Sequence, residues 1–195
     1  MPLMKVLSAT QLNSVDLYTI QNEPITSIDL MERAALACSK WIESKYSKST
    51  SIAVFCGQGN NGGDGLAIAR LLIKSGYQVD TYVIESEGQP TPDFTKNLSR
   101  LPDYESITEG GLNQDLNVYT LLIDCLFGSG LNRPVEGFMS DVIKIINESA
   151  TTKISIDIPS GLFCDSNTSN TGSIVEADTC LTLELPKLAL LLPDN

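Results

Sequence analysis

The chain contains no histidine. That absence removes Ser-His-Asp and Cys-His mechanisms and most zinc and iron sites. Acid–base work is left to Asp, Glu, Lys, Tyr or Cys. Positive charge is also scarce: 13 Lys and Arg stand against 24 Asp and Glu, a formal net charge of −11. This balance argues against nucleic acid as a partner, because a phosphate backbone needs a basic face. A small anionic ligand stays open, since a helix N-terminus or a bound cation makes one site locally positive. The five cysteines are odd in number and include no C-x-x-C, so neither a disulfide framework nor a zinc knuckle is indicated. Cys56 and Cys125 sit in apolar runs and read as core residues, in a reducing compartment. No apolar run suits a signal peptide or a membrane span, and the expectation is a cytoplasmic protein with no membrane partner.

What the chain does have is regular alternation. Its 195 residues fit a single domain over 1–195 with a full core. Two helices come first: 8–22, with Ser8 available as N-cap, and 25–46, with Ser27 as a cap and an apolar stripe through Leu30, Met31, Ala34, Cys38, Trp41 and Ile42. Strands are then expected at 51–56, 78–85, 118–127, 153–159 and 177–185, with helices at 63–77, 91–101 and 137–149 between them. Such alternation predicts an α/β fold: three layers, Rossmann-like, a mostly parallel central sheet with helices on both faces. The end, "PKLALLLPDN", stops just after an apolar run and reads either as a terminus docked on the domain or as a junction with a further domain.

Three loops follow strand ends, where open parallel sheets bind ligands. The first, "CGQGNNGGDG", carries G-x-G-x-x-G between a strand and a helix, the dinucleotide fingerprint in its proper context. Asp80 lies near the place of a ribose-binding acid, with Glu85 better placed at the strand end. Asn60, Asn61 and Asp64 exceed what a pyrophosphate turn needs, and the five glycines suggest close approach by a bulky ligand. The second loop, "DCLFGSGLNRPVEG", has Asp124 at a strand end, glycines that admit a ligand, and Arg133 for a phosphate. The third, "SIDIPSGL", places Asp157 in an apolar strand, where a partly buried carboxylate suits acid–base chemistry. Asn61, Asp124 and Ser160 together offer an amide, a carboxylate and a hydroxyl. That oxygen set is poor for zinc and weakly charged for Mg²⁺ or Ca²⁺; a monovalent cation such as K⁺ is a candidate that the residues alone do not select.

"GQGNNGGDGLAIARLL", "DCLFGSGLNRPVEG" and "SIDIPSGL" resemble the three motifs of the YjeF N-terminal domain family, the NAD(P)H-hydrate epimerases. "LMERAA" and "ADTCLTLELPK" resemble its flanking segments. The resemblance implies substrate binding by Asn60, Asn61, Gly62, Gly63 and Asp64 and by Gly128, Ser129, Gly130, Leu131, Asn132, Arg133 and Pro134. It implies K⁺ on Asn61, Asp124 and Ser160, and Asp157 against the reacting ring. The implied substrates are NADHX and NADPHX, whose R and S epimers differ at C6. The implied partners are a fused or separate ADP/ATP-dependent dehydratase and a second copy in a homodimer. In such a reaction protonated Asp157 would help hydroxide leave C6, giving a planar iminium that water re-enters from either face. An NAD(P)-dependent oxidoreductase and a non-catalytic nucleotide- or partner-binding module are the alternatives.

Overall fold

The computed structural model describes residues 5–112 and 114–192. After α1 (Ala9–Asn22) and α2 (Ser27–Lys45), the chain runs β1 (Ser51–Cys56), α3 (Asn60–Lys74), β2 (Gln78–Ile84), α4 (Pro92–Leu98) and β3 (Glu105–Ile107). It continues through β4 (Leu121–Cys125), α5 (Gly137–Glu148), β5 (Thr152–Ile156) and β6 (Thr179–Leu181). The six strands form one sheet in the order β3-β2-β1-β4-β5-β6, and every pairing is parallel. This is the doubly wound arrangement expected from the alternation.

Strand side chains alternate between two buried layers. Ile52, Val54 and Cys56 of β1 pack with α2, α3 and α4 on one face, in a layer that includes Ile42, Leu66 and Phe94. Ala53 and Phe55 face the opposite layer, where Val142, Ile143 and Ile146 of α5 pack. A smaller cluster joins Leu12 of α1 to Ile158, Leu162 and Ala189, so the C-terminal segment docks against the first helix. Residues 193–195 lie outside the described residues.

Several local expectations are corrected. β3 was not expected: of its three residues, Glu105 and Ser106 are polar and exposed and only Ile107 is buried. β4, β5 and β6 are shorter than their apolar runs, because residues such as Leu126 and Phe127 leave the ladder and turn into loops. Thr26 rather than Ser27 caps α2, accepting the Asp29 N–H at 3.3 Å. Ser8 caps α1 as expected, and the structure adds a capping box in which Gln11 reaches back to accept the Ser8 N–H at 2.9 Å. The largest shift is in α3, which starts at Asn60 and not at Gly63, so Asn-Asn-Gly-Gly-Asp is its first turn. Gly65 lies on the packed side of that helix. A Cβ there would come within 2.6 Å of Cys125 Cβ.

Candidate active site

The chain leaves β1 towards β2 on one side of the sheet and reaches β4 on the other, so the exits of β1 and β4 face each other across a crevice. A cavity of about 510 Å³ opens there. Its wall is made by the exits of β1, β2, β4 and β5, together with Leu12 and Asp16 of α1 and the segment 183–187. A second, more apolar cavity of about 710 Å³ lies between α1 and α2 and shares Asp16, Asn60, Asp64, Leu183 and Glu184 with the first.

Asp157 is not in a strand, as its apolar surroundings suggested. It follows β5 with φ 71°, in the left-handed region. Aspartate tolerates that region better than most residues, but the conformation is held by its surroundings. The turn aims the carboxylate at the cavity. Its Oδ2 accepts the Ser129 N–H at 2.8 Å, and its Oδ1 is ion-paired with Lys187 Nζ. Asp157 is therefore a paired carboxylate rather than an isolated buried acid. Lys187 is almost wholly buried, at 1% exposure, and also donates to the Leu183 carbonyl at 2.7 Å.

Behind the wall lies an oxygen-rich hub. Asp124 accepts from Leu126 N at 3.2 Å, Ser155 Oγ at 2.7 Å, Ser160 N at 2.9 Å and Ser160 Oγ at 2.6 Å. Burial pushes its carboxyl up from the ordinary value, and these donors pull it part of the way back. Asn61 orients its amide by donating to the Phe127 and Ile156 carbonyls at 2.9 and 3.2 Å. That leaves Asn61 Oδ1 buried with no hydrogen-bond partner. A buried acceptor without a donor is the kind of atom a cation satisfies.

Asp64 has the opposite surroundings to Asp157. Burial first, then the negative charges of Asp157, Asp16, Asp93 and Glu184, hold its carboxyl well above the usual aspartate range. Folding therefore raises its pKa. The stability it contributes is full below the unfolded value and is lost as pH rises through the folded one. Asp64→Asn is expected to raise Tm at mildly alkaline pH and to flatten the fall of Tm with pH. Melts across mildly acid to mildly alkaline buffers check this, and an unchanged slope would contradict it. Glu184, also on the cavity wall and also at positive φ, is pushed up to about 8 by burial and by a hydrogen bond with Asp16. The thiols are not candidates for nucleophiles: burial pushes Cys38 and Cys180 up to about 12.

Residues 27–189 match the family described as YjeF-related protein N-terminus. The chain belongs to this family. Among curated relatives, an NAD(P)H-hydrate epimerase of Anaerococcus prevotii is 39% identical over 192 residues, covering 94% of this chain and 87% of the relative. An NAD(P)H-hydrate epimerase of Limosilactobacillus fermentum is 37% identical, covering 95% and 88%. A Bifunctional NAD(P)H-hydrate repair enzyme Nnr of Thermofilum pendens is 34% identical over 97% of this chain but only 37% of its own length. The fold matches the crystal structure of yeast ynu0 with a TM-score of 0.76 at 20% identity, covering 96% of this chain and 84% of the yeast chain.

The YjeF-type motifs meet at the crevice. Asn60, Asn61, Asp64, Gly128, Ser129, Gly130, Leu131, Asn132, Arg133 and Asp157 all line the cavity. Gly62, Gly63 and Pro134 are not on its wall; Gly62 and Gly63 are buried against protein atoms. Asp124 and Ser160 sit behind it, at 2% and 0% exposure. The ribose acid of the dehydrogenase reading is absent from the site. Asp80 instead accepts the Tyr119 hydroxyl at 2.8 Å, and Glu85 is exposed off the wall, while its neighbour Glu87 lines it. Sequence reasoning missed Lys187, Glu184 and Asp16 as site residues. The available signal for Lys187 was a lone cation set between Pro186 and an apolar run.

Proposed function

We propose that this protein is an NAD(P)H-hydrate epimerase that interconverts the R and S epimers of NADHX and NADPHX at C6 of the hydrated nicotinamide ring. The observation that carries the reading is Asp157. It is a carboxylate fixed by Ser129 and Lys187 on the wall of a cavity of nucleotide-binding size, in a chain whose relatives are named for this reaction.

C6 of the substrate carries a hydroxyl next to ring N1, a hemiaminal. When the C6–O bond breaks, the hydroxyl takes a proton and leaves as water, and the N1 lone pair closes a C=N bond. The planar iminium is a cation, and the Asp157 carboxylate beside it stabilises that charge as it develops. Water then adds to either face. The glycine-bearing loop from Gly128 to Arg133 and the first turn of α3 hold the nucleotide, with Arg133 for its phosphates. No hydride moves, so no redox partner is needed.

The residues present fit a K⁺ ion. Asn61 Oδ1 lacks a donor, and Ser160 and Asp124 add oxygen from two further strand ends. A bound K⁺ would supply a fixed positive charge among these oxygens and tie the three strand exits together. KCl is expected to raise Tm above that in choline chloride of equal ionic strength, by the linkage of binding to folding. Equal melting in both salts would remove K⁺ from the account.

A dehydratase acting on the S epimer is the natural consumer of the product, and the bifunctional relative supports that pairing. The exposed Leu17, Tyr18 and Leu36 on α1 and α2 support a homodimer through that face. The reading is tested by supplying the R epimer together with a dehydratase specific for S. Reduced cofactor should reappear at a rate set by added protein. If the protein leaves that rate unchanged, the reading fails.

A further inference from the structure

A lysine at 1% exposure is unfavourable unless its charge is matched, and the match here is with Asp157, the carboxylate to which the epimerase reading gives the reacting ring. Asp157 and Leu183 O take two of the three hydrogens on Lys187 Nζ, and Lys187 itself lines the cavity. Asp157 Oδ2 is held by the Ser129 amide. This arrangement poses a chemical problem. The departing hydroxyl needs a proton, but an ion-paired carboxylate has none to give.

We propose that Lys187 stores the proton that Asp157 delivers to the departing hydroxyl. The inference rests on the epimerase reading. In the forward step an Nζ proton of Lys187 passes to Asp157, and Asp157 passes a proton to the C6 hydroxyl oxygen. The C6–O bond breaks with its electron pair on oxygen, water leaves, and the N1 lone pair forms the C=N bond. Before the step the ammonium is positive, Asp157 negative and the ring neutral. After it the amine is neutral, Asp157 negative and the ring positive. The sum is zero on both sides, so the positive charge moves from one neighbour of Asp157 to the other and the buried site never gains net charge. The return runs in reverse: water adds at C6, gives its proton to Asp157, and Lys187 is recharged.

This role requires lysine. An ammonium can give up a proton in a buried setting, whereas a guanidinium keeps its own. Lys187 is then a positioning residue that acts through Asp157, and its test separates proton storage from plain charge pairing. Lys187→Met and Lys187→Arg, each checked for folding by circular dichroism, are expected to lower kcat for NADHX by about 10²-fold or more, with KM within a few-fold. In Lys187→Ala, propylamine is expected to restore kcat at least about tenfold and guanidinium not at all. If Lys187→Arg keeps wild-type kcat, or guanidinium rescues as well as propylamine, the lysine is only a counter-charge and the proposal is overturned. A measurement on the unaltered protein stands independently of how the variants fold. The dependence of kcat on deuterium content of the water should be curved, as for two protons in flight. A straight line would overturn proton storage while leaving the epimerase reading intact. An inactive wild-type protein would overturn both.

Discussion

Asp157→Asn is expected to slow epimer interconversion by about 10²–10⁴-fold, the usual range for loss of a positioned acid–base group. The amide keeps the shape of the side chain and still accepts from Ser129, but it neither carries a transferable proton nor offers charge to the iminium. The substitution has a second effect. It leaves Lys187 buried without its counter-charge, and breaking a buried pair from one side costs about 3–5 kcal/mol. Tm should therefore fall along with kcat. The double substitution Asp157→Asn with Lys187→Met separates the two effects, because removing both charges takes away the unpaired one. Most of the lost Tm is expected to return and none of the lost activity. Activity that returned with stability would mean Asp157 serves only the fold. Thermal melts and single-turnover rates on the wild type, Asp157→Asn, Lys187→Met and the double variant decide it.

Gly62→Ala is expected to be the most damaging single methyl group in the chain. A Cβ at residue 62 would sit 1.6 Å from the Gly57 carbonyl oxygen and 2.6 Å from its carbon. Both are backbone atoms, and Gly57 is itself pinned, since a Cβ there would lie 2.1 Å from the Leu126 carbonyl oxygen. Neither side can yield without pulling α3 off the β1–β4 crevice. The expected destabilisation exceeds about 4 kcal/mol, in the range reserved for gross steric conflict. Gly59→Ala is the control: nothing lies within 4 Å of its Cβ, and φ is −88°. It should leave the urea midpoint nearly unchanged. A Gly62→Ala protein as stable as the wild type would contradict the observed start of α3 at Asn60.

The same glycines show where sequence reasoning succeeds and where it goes astray. Five glycines around Asn60 and Asn61 suggest, from sequence, room for a ligand. Gly57, Gly62, Gly63 and Gly65 instead make room for the protein's own packing, and Gly59 alone faces open space. Periodicity reports that small residues are needed but not what presses against them. The sheet was legible because buried parallel strands read as apolar runs and alternate with amphipathic helices. β3 was not, since three residues with one buried side chain leave almost no pattern. Asn61, Asp124 and Ser160 were legible as polar residues at strand exits, a matter of topology, whereas the apolar surroundings of Asp157 suggested a strand interior. The positive φ that aims Asp157 is a backbone property that no residue type announces. Glu184 and Asp16 were beyond reach, and Lys187 gave only the signal of a lone cation before an apolar run, because all three come to the cavity from the C-terminal segment and from α1, far from the motifs in sequence.

The most direct test of the central claim follows the pure R epimer of NADHX in ¹⁸O-labelled water with catalytic amounts of protein. Chromatography separates the epimers and mass spectrometry reads the label. The account predicts S epimer forming well above the buffer rate, with one ¹⁸O gained at C6 per conversion, because the hydroxyl leaves as water and returns from solvent. Conversion without label would contradict the iminium route. Conversion no faster than buffer, from folded protein in K⁺, would contradict the epimerase reading itself.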